Sequence, residues 1–376
     1  MLSLVLAVVL VALVFEYING FHDTANSIAT VVATKVLSPW QAVVLAATTN
    51  LIGALWGTAV AKTIASGLID TQVVEVTSQV ILCALSGAIV WNLITWWMGL
   101  PSSSTHALIG GLCGAALAAA HGNWAAIMWS HPATPWFKGT GVFWKVIVPM
   151  VTSPVVGFIG GFLLMGVLWS IITGMARTGG TLGRMARPRW VNAFFGKAQF
   201  FSAGYMGFAH GLGDAQKTMG IIALIMVSAA KAHQLDGLPP WLSFMTPSAN
   251  ALAKGDIDKW IVFSCALVMA AGTAAGGWRI IKTVGHKMVK LHPINGFAAE
   301  TSAATVIFIA STLGIPVSTT HNISASIMGV GAAKRLSAIK WGVVERIIWA
   351  WILTIPAAGG IAWLLVEGLQ MGGWYR

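Results

Sequence analysis

The sequence predicts an all-α polytopic membrane protein made of two inverted repeats, each with three membrane spans and one re-entrant helical hairpin. Three observations support this fold class: an apolar composition, polar motifs that occur twice, and basic residues gathered in a few loops. Of the 376 residues, 57% are hydrophobic and only 9% are charged, whereas about 25% are charged in an average soluble domain. The net charge of +11 is expected in loops that set orientation, so we predict no nucleic-acid partner.

The first apolar run covers residues 2–34, more than the roughly 20 residues that a straight span needs. We therefore expect it to be tilted or broken, with the break near Asn19 and Gly20. Asp23 follows directly, and a carboxylate at membrane depth costs about 2.5 to 3.5 kcal/mol on insertion scales unless it faces an interior, a cavity or a partner. In a helix, Asn26 would share its face. The alternative is a helix cap at the membrane surface, with Asp23 in water.

The rest of the first half predicts two more spans and a hairpin. The spans are residues 42–60 and 143–170. Between them an apolar segment, 78–98, meets Pro101, which removes a backbone donor and stops a helix. A second apolar stretch follows from 107 to about 120, which predicts a re-entrant hairpin. Its tip carries only hydroxyl side chains: Ser102, Ser103, Ser104 and Thr105.

Residues 174–197 form the clearest boundary in the chain. They contain five basic residues and no acidic one, namely Arg177, Arg184, Arg187, Arg189 and Lys197. By the positive-inside rule this segment is cytoplasmic. We predict that it links an N-terminal repeat, residues 1–173, to a C-terminal repeat, residues 198–376.

The second half repeats the pattern of the first. It predicts spans at about 199–229, 260–281 and 347–368, and a hairpin built from about 295–313 and 320–333 around Pro316. Three crossings per half make the second repeat enter the membrane from the opposite side, so the repeats are inverted. With the basic loops inside, both termini are expected outside.

Two different polar motifs recur in the same order along the chain. A shift of 191 residues aligns Asp23 with Asp214 and Asn26 with Lys217. A shift of 215 aligns residues 99–106, Gly-Leu-Pro-Ser-Ser-Ser-Thr-His, with residues 314–321, Gly-Ile-Pro-Val-Ser-Thr-Thr-His. An accidental helix cap would not recur in this way, whereas a duplicated membrane protein has its site where the two repeats meet.

These motifs resemble those of the inorganic phosphate transporter (PiT) family, and the resemblance covers nearly the whole chain. It rests on residues 20–27, Gly-Phe-His-Asp-Thr-Ala-Asn-Ser, on 210–220, His-Gly-Leu-Gly-Asp-Ala-Gln-Lys-Thr-Met-Gly, and on the two hairpin tips. The absence of a long hydrophilic insert between the halves is similar to prokaryotic low-affinity members. The resemblance implies an inverted-repeat fold, multi-pass in the cell membrane, that encloses one phosphate near the midplane.

The expected phosphate ligands follow from the chemistry of a small oxyanion. Hydroxyl groups and the free backbone N–H groups at helix starts bind such anions, and both hairpins offer them just after a proline turn. The predicted substrate-binding residues are Asp23, Asn26, Ser103, Ser104, Thr105, Asp214, Lys217, Thr218, Ser318, Thr319 and Thr320. The alternative is that the hydroxyls pack closely and bond their own backbone.

Two aspartates beside an anion repel it unless a cation or a proton intervenes. In sodium-coupled members the second motif has Asn three residues after Asp, where this chain has Lys217. An ammonium group fills a place where sodium would need oxygen ligands, so we predict proton coupling. The alternatives are sodium coupling, or an internal ion pair between Asp214 and Lys217 that has no direct role with the substrate. The proton candidates are Asp23, Asp214, Glu300, His106 and His321, although a buried histidine is more often a packing residue.

The predicted function is therefore secondary active import of inorganic phosphate, coupled to protons. Whether phosphate is carried alone or as a divalent metal–phosphate complex is left open. The predicted partners are phosphate, protons and the bilayer; a homo-oligomer is left open, and no cofactor or resident metal is expected. The nearest rival is a sulfate or other oxyanion permease on the same fold. A membrane phosphatase is disfavoured because no nucleophile motif is present, so we predict no enzyme. A passive channel is the third rival.

Overall fold

The computed structural model describes residues 2–66, 68–70, 72–135 and 139–373, and these are almost entirely helical, without a strand. The all-α fold class is therefore confirmed. The helices are α1 Leu2–Ala33, α2 Pro39–Ala54, α3 Ala59–Ser66, α4 Ser78–Met98, α5 Ser104–Ala119, α6 Val148–Thr178, α7 Gly180–Met185, α8 Pro188–Lys231, α9 Ala249–Lys254, α10 Lys259–Ala275, α11 Trp278–Lys282, α12 Pro293–Thr312, α13 Thr319–Lys334 and α14 Trp341–Met371.

The predicted break in the first helix is wrong, because α1 continues without interruption through Asn19 and Gly20. The glycine serves packing. A Cβ atom at Gly20 would collide with the backbone of α10 at Met269. Close contact between two helix backbones thus explains the small residue, and the helix keeps its hydrogen bonds at this point.

The predicted span at 42–60 is also divided differently. The helix α2 ends at Ala54, and a short non-helical connection leads into α3. In the second half, α10 ends at Ala275 and α11 begins after Gly276 and Gly277. Each half thus follows its second long helix with a short helix.

Both predicted hairpins are present as helix pairs. Helix α4 ends at Gly99, whose φ of 66° is left-handed, and the equivalent Gly314 has φ of 69°. Glycine adopts this conformation without a Cβ penalty and commonly ends helices in this way. Ser103 and Ser318 then cap α5 and α13, each accepting a hydrogen bond from the backbone N–H three residues on.

Five of the described helical segments are long and apolar enough to cross a membrane, or six if one pair bent by 113° counts as one span. The five are Leu2–Ala33, Ser78–Met98, Phe143–Thr178, Pro293–Thr312 and Trp341–Met371. Helix α2 has only 16 residues, and α8 carries a polar centre, so neither meets this criterion. Since α4 and α12 do meet it, the re-entrant path of the hairpins stays a prediction.

The helices of the two halves interlock. Helix α6 packs on α13, and its counterpart α14 packs on α5. Gly20 and Gly272 lie at the crossing of α1 with α10, and Gly211 and Gly53 lie at the equivalent crossing of α8 with α2. At all four positions a Cβ would collide with the partner's backbone. The duplication seen in the motifs therefore extends to helix packing. Three expectations stay predictions: the inverted orientation, the repeat boundaries, and the cytoplasmic position of the largely helical segment 174–197.

Candidate functional site

The two aspartate motifs, 191 residues apart, meet in the centre of the protein. Helices α1 and α8 pack against each other, and their middle portions carry Asp23 and Asp214. Asp23, His210 and Asp214 each place one potential ligand atom so that these atoms all lie within 4.8 Å of one another. Asp23 is 2% exposed and Asp214 is fully buried. The surface-cap interpretation of Asp23 is therefore wrong, because the carboxylate lies inside the protein.

Asp23 is surrounded by groups that can donate to it. The hydroxyl of Ser104 donates to Asp23 Oδ2 over 2.7 Å, and it also lies 2.5 Å from Asn19 Oδ1. His22 Nδ1 lies 2.7 Å from Asp23 Oδ1. Thr320 donates to the same oxygen over a long 3.5 Å. The first hairpin tip thus contacts the first aspartate directly.

Asp214 is paired with a lysine ammonium group, whereas the neighbouring base of Asp23 is the imidazole of His22. Lys217 Nζ donates to Asp214 Oδ1 over 2.8 Å, and both side chains are buried. On the other oxygen, Thr319 donates over 3.4 Å, and His210 Nε2 lies 3.3 Å away. The His210 contact fits an ion pair by distance but lacks hydrogen-bond geometry. The second hairpin tip therefore contacts the second aspartate, as the first tip contacts Asp23.

Asn26 and its counterpart Lys217 make different contacts in the two repeats. Asn26 donates from α1 to Thr319 over 3.2 Å and to Thr320 over 2.9 Å, on the second hairpin tip. Its counterpart Lys217 instead pairs with an aspartate on its own helix. The hydroxyl of Thr105, which corresponds to Thr320, is buried and has no partner among the described residues. The hydrogen bond that Asn26 makes to Thr320 therefore has no equivalent at Thr105 within the described part of the chain, and the Thr105 hydroxyl remains available to an anion.

The remaining predicted hydroxyl ligands have separate structural roles. The Oγ atoms of Ser103 and Ser318 accept hydrogen bonds as helix caps, which leaves only their O–H protons for an anion. The predicted role of Thr218 as a phosphate ligand stays a prediction. Its hydroxyl donates to Glu16, because Glu16 lies on the facing side of α1.

The proton candidates His106 and His321 form a buried pair. Their ring centroids are 4.8 Å apart, and His321 stacks on Trp351 at 4.1 Å. Neither nitrogen of His321 has a hydrogen-bond partner among the described residues. The pair thus connects α5 to α13 by ring contact. Among the described residues, no hydrogen bond joins either ring to Asp23 or Asp214.

Glu300 lies apart from the aspartates. Its carboxylate accepts from Thr30 over 2.5 Å, from Gln199 over 3.0 Å and from Ser202. Thr30 follows Asp23 by seven residues on α1, or about 10 Å along the helix. Glu300 is therefore not a direct neighbour of the paired aspartates.

The site residues that sequence reasoning missed are neutral amides. Asn19 Oδ1 competes with Asp23 for the hydroxyl proton of Ser104, and Gln216 Oε1 accepts from the backbone N–H of Val60 over 2.6 Å, at the start of α3. Spacing could have identified Asn19, because it lies four residues before Asp23 and so shares its helix face. No such pattern marked Gln216.

The chemistry of the site suits a small anion carried with a cation or proton. Asp23, His210 and Asp214 also offer the carboxylate and imidazole ligands that a divalent transition-metal ion accepts. Lys217 competes for Asp214, so a cation bound there would have to displace its ammonium group or share the carboxylate with it. Asp23, Asp214 and Lys217 are each at most 2% exposed, so the charged groups of the site are buried away from solvent.

Comparisons with known proteins agree over the full length. Residues 19–362 match the sequence model described as "Phosphate transporter family". A Bacillus subtilis (strain 168) protein named "Probable low-affinity inorganic phosphate transporter" is 41% identical and covers 98% of each chain. A protein of the same name from Rhizobium meliloti (strain 1021) is 42% identical, over 96% of this chain and 94% of its own.

A solved structure has a similar fold. The protein described as "The sodium-dependent phosphate transporter" superposes with a TM-score of 0.77 over 98% of this chain and 99% of its own, at 22% identity. At this identity the likeness establishes a shared fold, and the coupling ion in that description belongs to that protein alone.

Proposed function

Because the chain belongs to the phosphate transporter family, we propose that it is a secondary active transporter that imports inorganic phosphate by alternating access, coupled to protons. The observation that carries this proposal is the meeting of Asp23 and Asp214 between two hydroxyl-bearing hairpin tips, with Lys217 beside them. One such site made by two repeats is the arrangement that secondary transporters use. Relatives whose names specify inorganic phosphate support the choice of substrate.

Phosphate would be bound by neutral donors and one cation. Ser104 and Thr319 would redirect their hydroxyls from the aspartates to phosphate oxygens, and Thr105 offers a hydroxyl that has no partner among the described residues. The first N–H groups of α5 and α13 have no partner within their helices, which favours an anion there. Lys217 would offset the charge of the anion.

The two aspartates favour phosphate over sulfate. At neutral pH phosphate retains a P–OH group, which can donate a hydrogen bond to a carboxylate, while sulfate has no proton. Sulfate would leave an aspartate facing an oxyanion without an intervening hydrogen, a repulsive contact that discriminates against the wrong substrate.

Lys217 supports proton coupling. Its ammonium group already neutralises Asp214, and it occupies the motif position where sodium-coupled members have a neutral oxygen ligand. A proton needs no such cage of oxygen atoms. Phosphate could also be carried as a complex with a divalent metal ion. The triad Asp23, His210 and Asp214 supports this form of the substrate, because its ligand atoms lie close enough together to hold such an ion.

Alternating access requires the buried site to open on each side in turn. Two contacts hold the hairpin tips to the short helices and must loosen: Thr63 of α3 donates to Gly314 O over 2.9 Å, and Arg279 of α11 donates to Trp97 O over 2.8 Å. We place the protein in the cell membrane with both termini outside and residues 174–197 in the cytoplasm.

Uptake by proteoliposomes tests this function. With choline replacing sodium, an imposed inward proton gradient is expected to drive accumulation of radiolabelled phosphate, and an uncoupler is expected to abolish it. Sulfate should compete poorly. A dependence on the sodium gradient, or equilibration without accumulation as in a channel, would contradict the proposal; release of phosphate from an ester would indicate the phosphatase instead.

A further inference from the structure

Glu16 is a buried carboxyl group that has no part in the phosphate site described above. It lies in α1 and is completely inaccessible to solvent. Thr218 of α8 donates a hydrogen bond to its Oε2, while its Oε1 has no partner among the described residues. It forms no ion pair with any described residue, because the nearby ammonium of Lys217 is paired with Asp214.

The surroundings of Glu16 favour its neutral form. An ionised carboxylate that is buried without a cation carries a large desolvation cost, and such groups take up a proton instead. The titratable groups close enough to act on Glu16 are Asp214 and Lys217 from α8 and Cys265 from α10. Of these, only Lys217 would stabilise a negative charge on it.

Glu16 also belongs to a continuous polar stripe on α1. Glu16, Asn19, Asp23, Asn26 and Thr30 follow one another at spacings of three and four residues, which places them on one helix face, and all five are buried. The Ser104 hydroxyl lies within hydrogen-bond distance of both Asn19 Oδ1 and Asp23 Oδ2. The stripe leads from Glu16 to the phosphate site over about two helical turns.

We propose that Glu16 is the group that carries the symported proton, an assignment that rests on the proposed proton-coupled transport of phosphate. In the loaded state Glu16 holds a proton from the outer solution on its carboxyl oxygen, so the positive charge of Lys217 is shared only between Asp214 and the anion. After phosphate leaves to the inside, the Glu16 O–H bond breaks and the proton follows. With the anion gone, the resulting carboxylate shares the charge of Lys217 with Asp214, so the empty carrier returns without the proton.

This assignment makes proton binding and phosphate binding mutually favourable. A negative Glu16 repels the anion and competes with it for Lys217, so phosphate affinity falls when the proton is lost. Coupling free energies between two sites typically change affinity by about five- to 150-fold. By reciprocity, bound phosphate strengthens the hold of Glu16 on its proton by the same factor.

The test compares Glu16→Gln, which keeps the shape of the neutral side chain, with the wild type. Calorimetric titration of the purified full-length protein with inorganic phosphate at pH 6 and pH 8 measures the affinity, and buffers of different ionisation enthalpy count the protons taken up. The titration of phosphate itself is common to all variants and cancels. Glu75→Gln, the same change at an exposed position, is the matched control.

In Glu16→Gln we expect the same phosphate affinity as in the wild type at pH 6. At pH 8 the variant should bind phosphate about five- to 150-fold more tightly than the wild type, because it lacks the ionised carboxylate. It should also take up fewer protons per phosphate bound. In proteoliposomes this variant should exchange phosphate but not accumulate it. If its accumulation and pH dependence equal those of the wild type, or if it fails to bind phosphate at pH 6 while folded, the assignment to Glu16 is overturned.

Two further measurements keep the assignment testable on its own. If wild-type uptake does not depend on the proton gradient, both the proposed proton coupling and the assignment to Glu16 are wrong. If Glu16→Gln still shows uncoupler-sensitive uptake, only the assignment to Glu16 is wrong. Should Glu16→Gln not fold, Thr218→Val serves instead. It removes a hydrogen bond that stabilises the ionised carboxylate, so the fall in phosphate affinity should move to higher pH, and an unchanged profile would contradict the assignment.

Discussion

Individual hydroxyl groups in the site differ in what they contact, although the sequence presents them as two similar clusters. Thr319 donates directly to Asp214, and Ser104 donates to Asp23, whereas Ser103 and Ser318 accept hydrogen bonds as helix caps. The residues at the start of α5 and α13, one position beyond the caps, are therefore those we expect to bind the anion most directly.

Thr319→Ala removes one of these donors. If a phosphate oxygen is then left unpaired, the loss is about 1 to 3 kcal/mol, or roughly five- to a hundredfold in phosphate Kd. Calorimetric titration of the purified protein measures this change. Thr319→Ser keeps the hydroxyl and should bind nearly as well as the wild type; equal affinity of the alanine variant would exclude Thr319 as a ligand.

Lys217→Asn restores the residue type of the sodium-coupled motif. We expect weaker proton-driven uptake, because Asp214 loses its buried cation, and no gain of sodium dependence, because one amide oxygen does not make a sodium site. Uptake in sodium and choline media measures both effects. Lys217→Arg retains the charge and should keep more activity; a sodium-driven Lys217→Asn variant would show that this residue alone selects the coupling ion.

The two site aspartates could be predicted from the sequence, whereas the site residue Gln216 could not. Asp23 and Asp214 were identifiable because a carboxylate in an apolar run has a high cost. Gln216 was not, because a neutral amide in a helix carries little cost, and its role in holding the start of α3 depends on how two distant helices meet.

At the level of helices, proline and glycine were informative in different degrees. Pro101 and Pro316 correctly predicted that a helix ends shortly before them. Pro154 and Pro356, however, lie inside α6 and α14, so proline alone does not mark a helix end. Gly20 was misread as a break, because glycine also permits close helix packing and the sequence does not distinguish the two uses. Only the neighbouring helix α10 decides between them.

Gly272→Val tests the crossing of α10 with α1. A Cβ at this position would collide with the backbone of Tyr17, and overpacking of this kind costs about 1 to 3 kcal/mol or more. We expect a lower melting temperature in detergent and a loss of phosphate uptake, because α1 carries Asp23. Gly166→Val, where no atom lies within 4 Å of the added Cβ, should retain both; equal melting temperatures would argue against a tight crossing.

For the molecule as a whole, the helical fold and the meeting of two motifs followed from composition and duplication. The side of the membrane on which each loop lies does not follow from composition or duplication, because it depends on how the chain is inserted into the membrane. The basic segment 174–197 remains the basis for orientation by the positive-inside rule.

Single cysteines in a cysteine-free background test this orientation. A cysteine at Thr181, in the basic segment, should be protected from an impermeant thiol reagent in intact cells. A cysteine at Gly373 should react, since the C-terminus is predicted outside. Labelling after permeabilisation controls for access, and the reverse pattern in intact cells would invert the topology.

The most direct test of the central claim, that the two halves share one phosphate site, is the phosphate Kd of Asp23→Asn, Asp214→Asn and the double variant. Each single change keeps the shape but removes a carboxylate, so each should abolish concentrative uptake in a folded protein. Because both side chains would face one bound anion, the double variant should depart from additivity by about 0.5 to 3 kcal/mol. Additive effects, or normal transport by either single variant, would contradict a shared site.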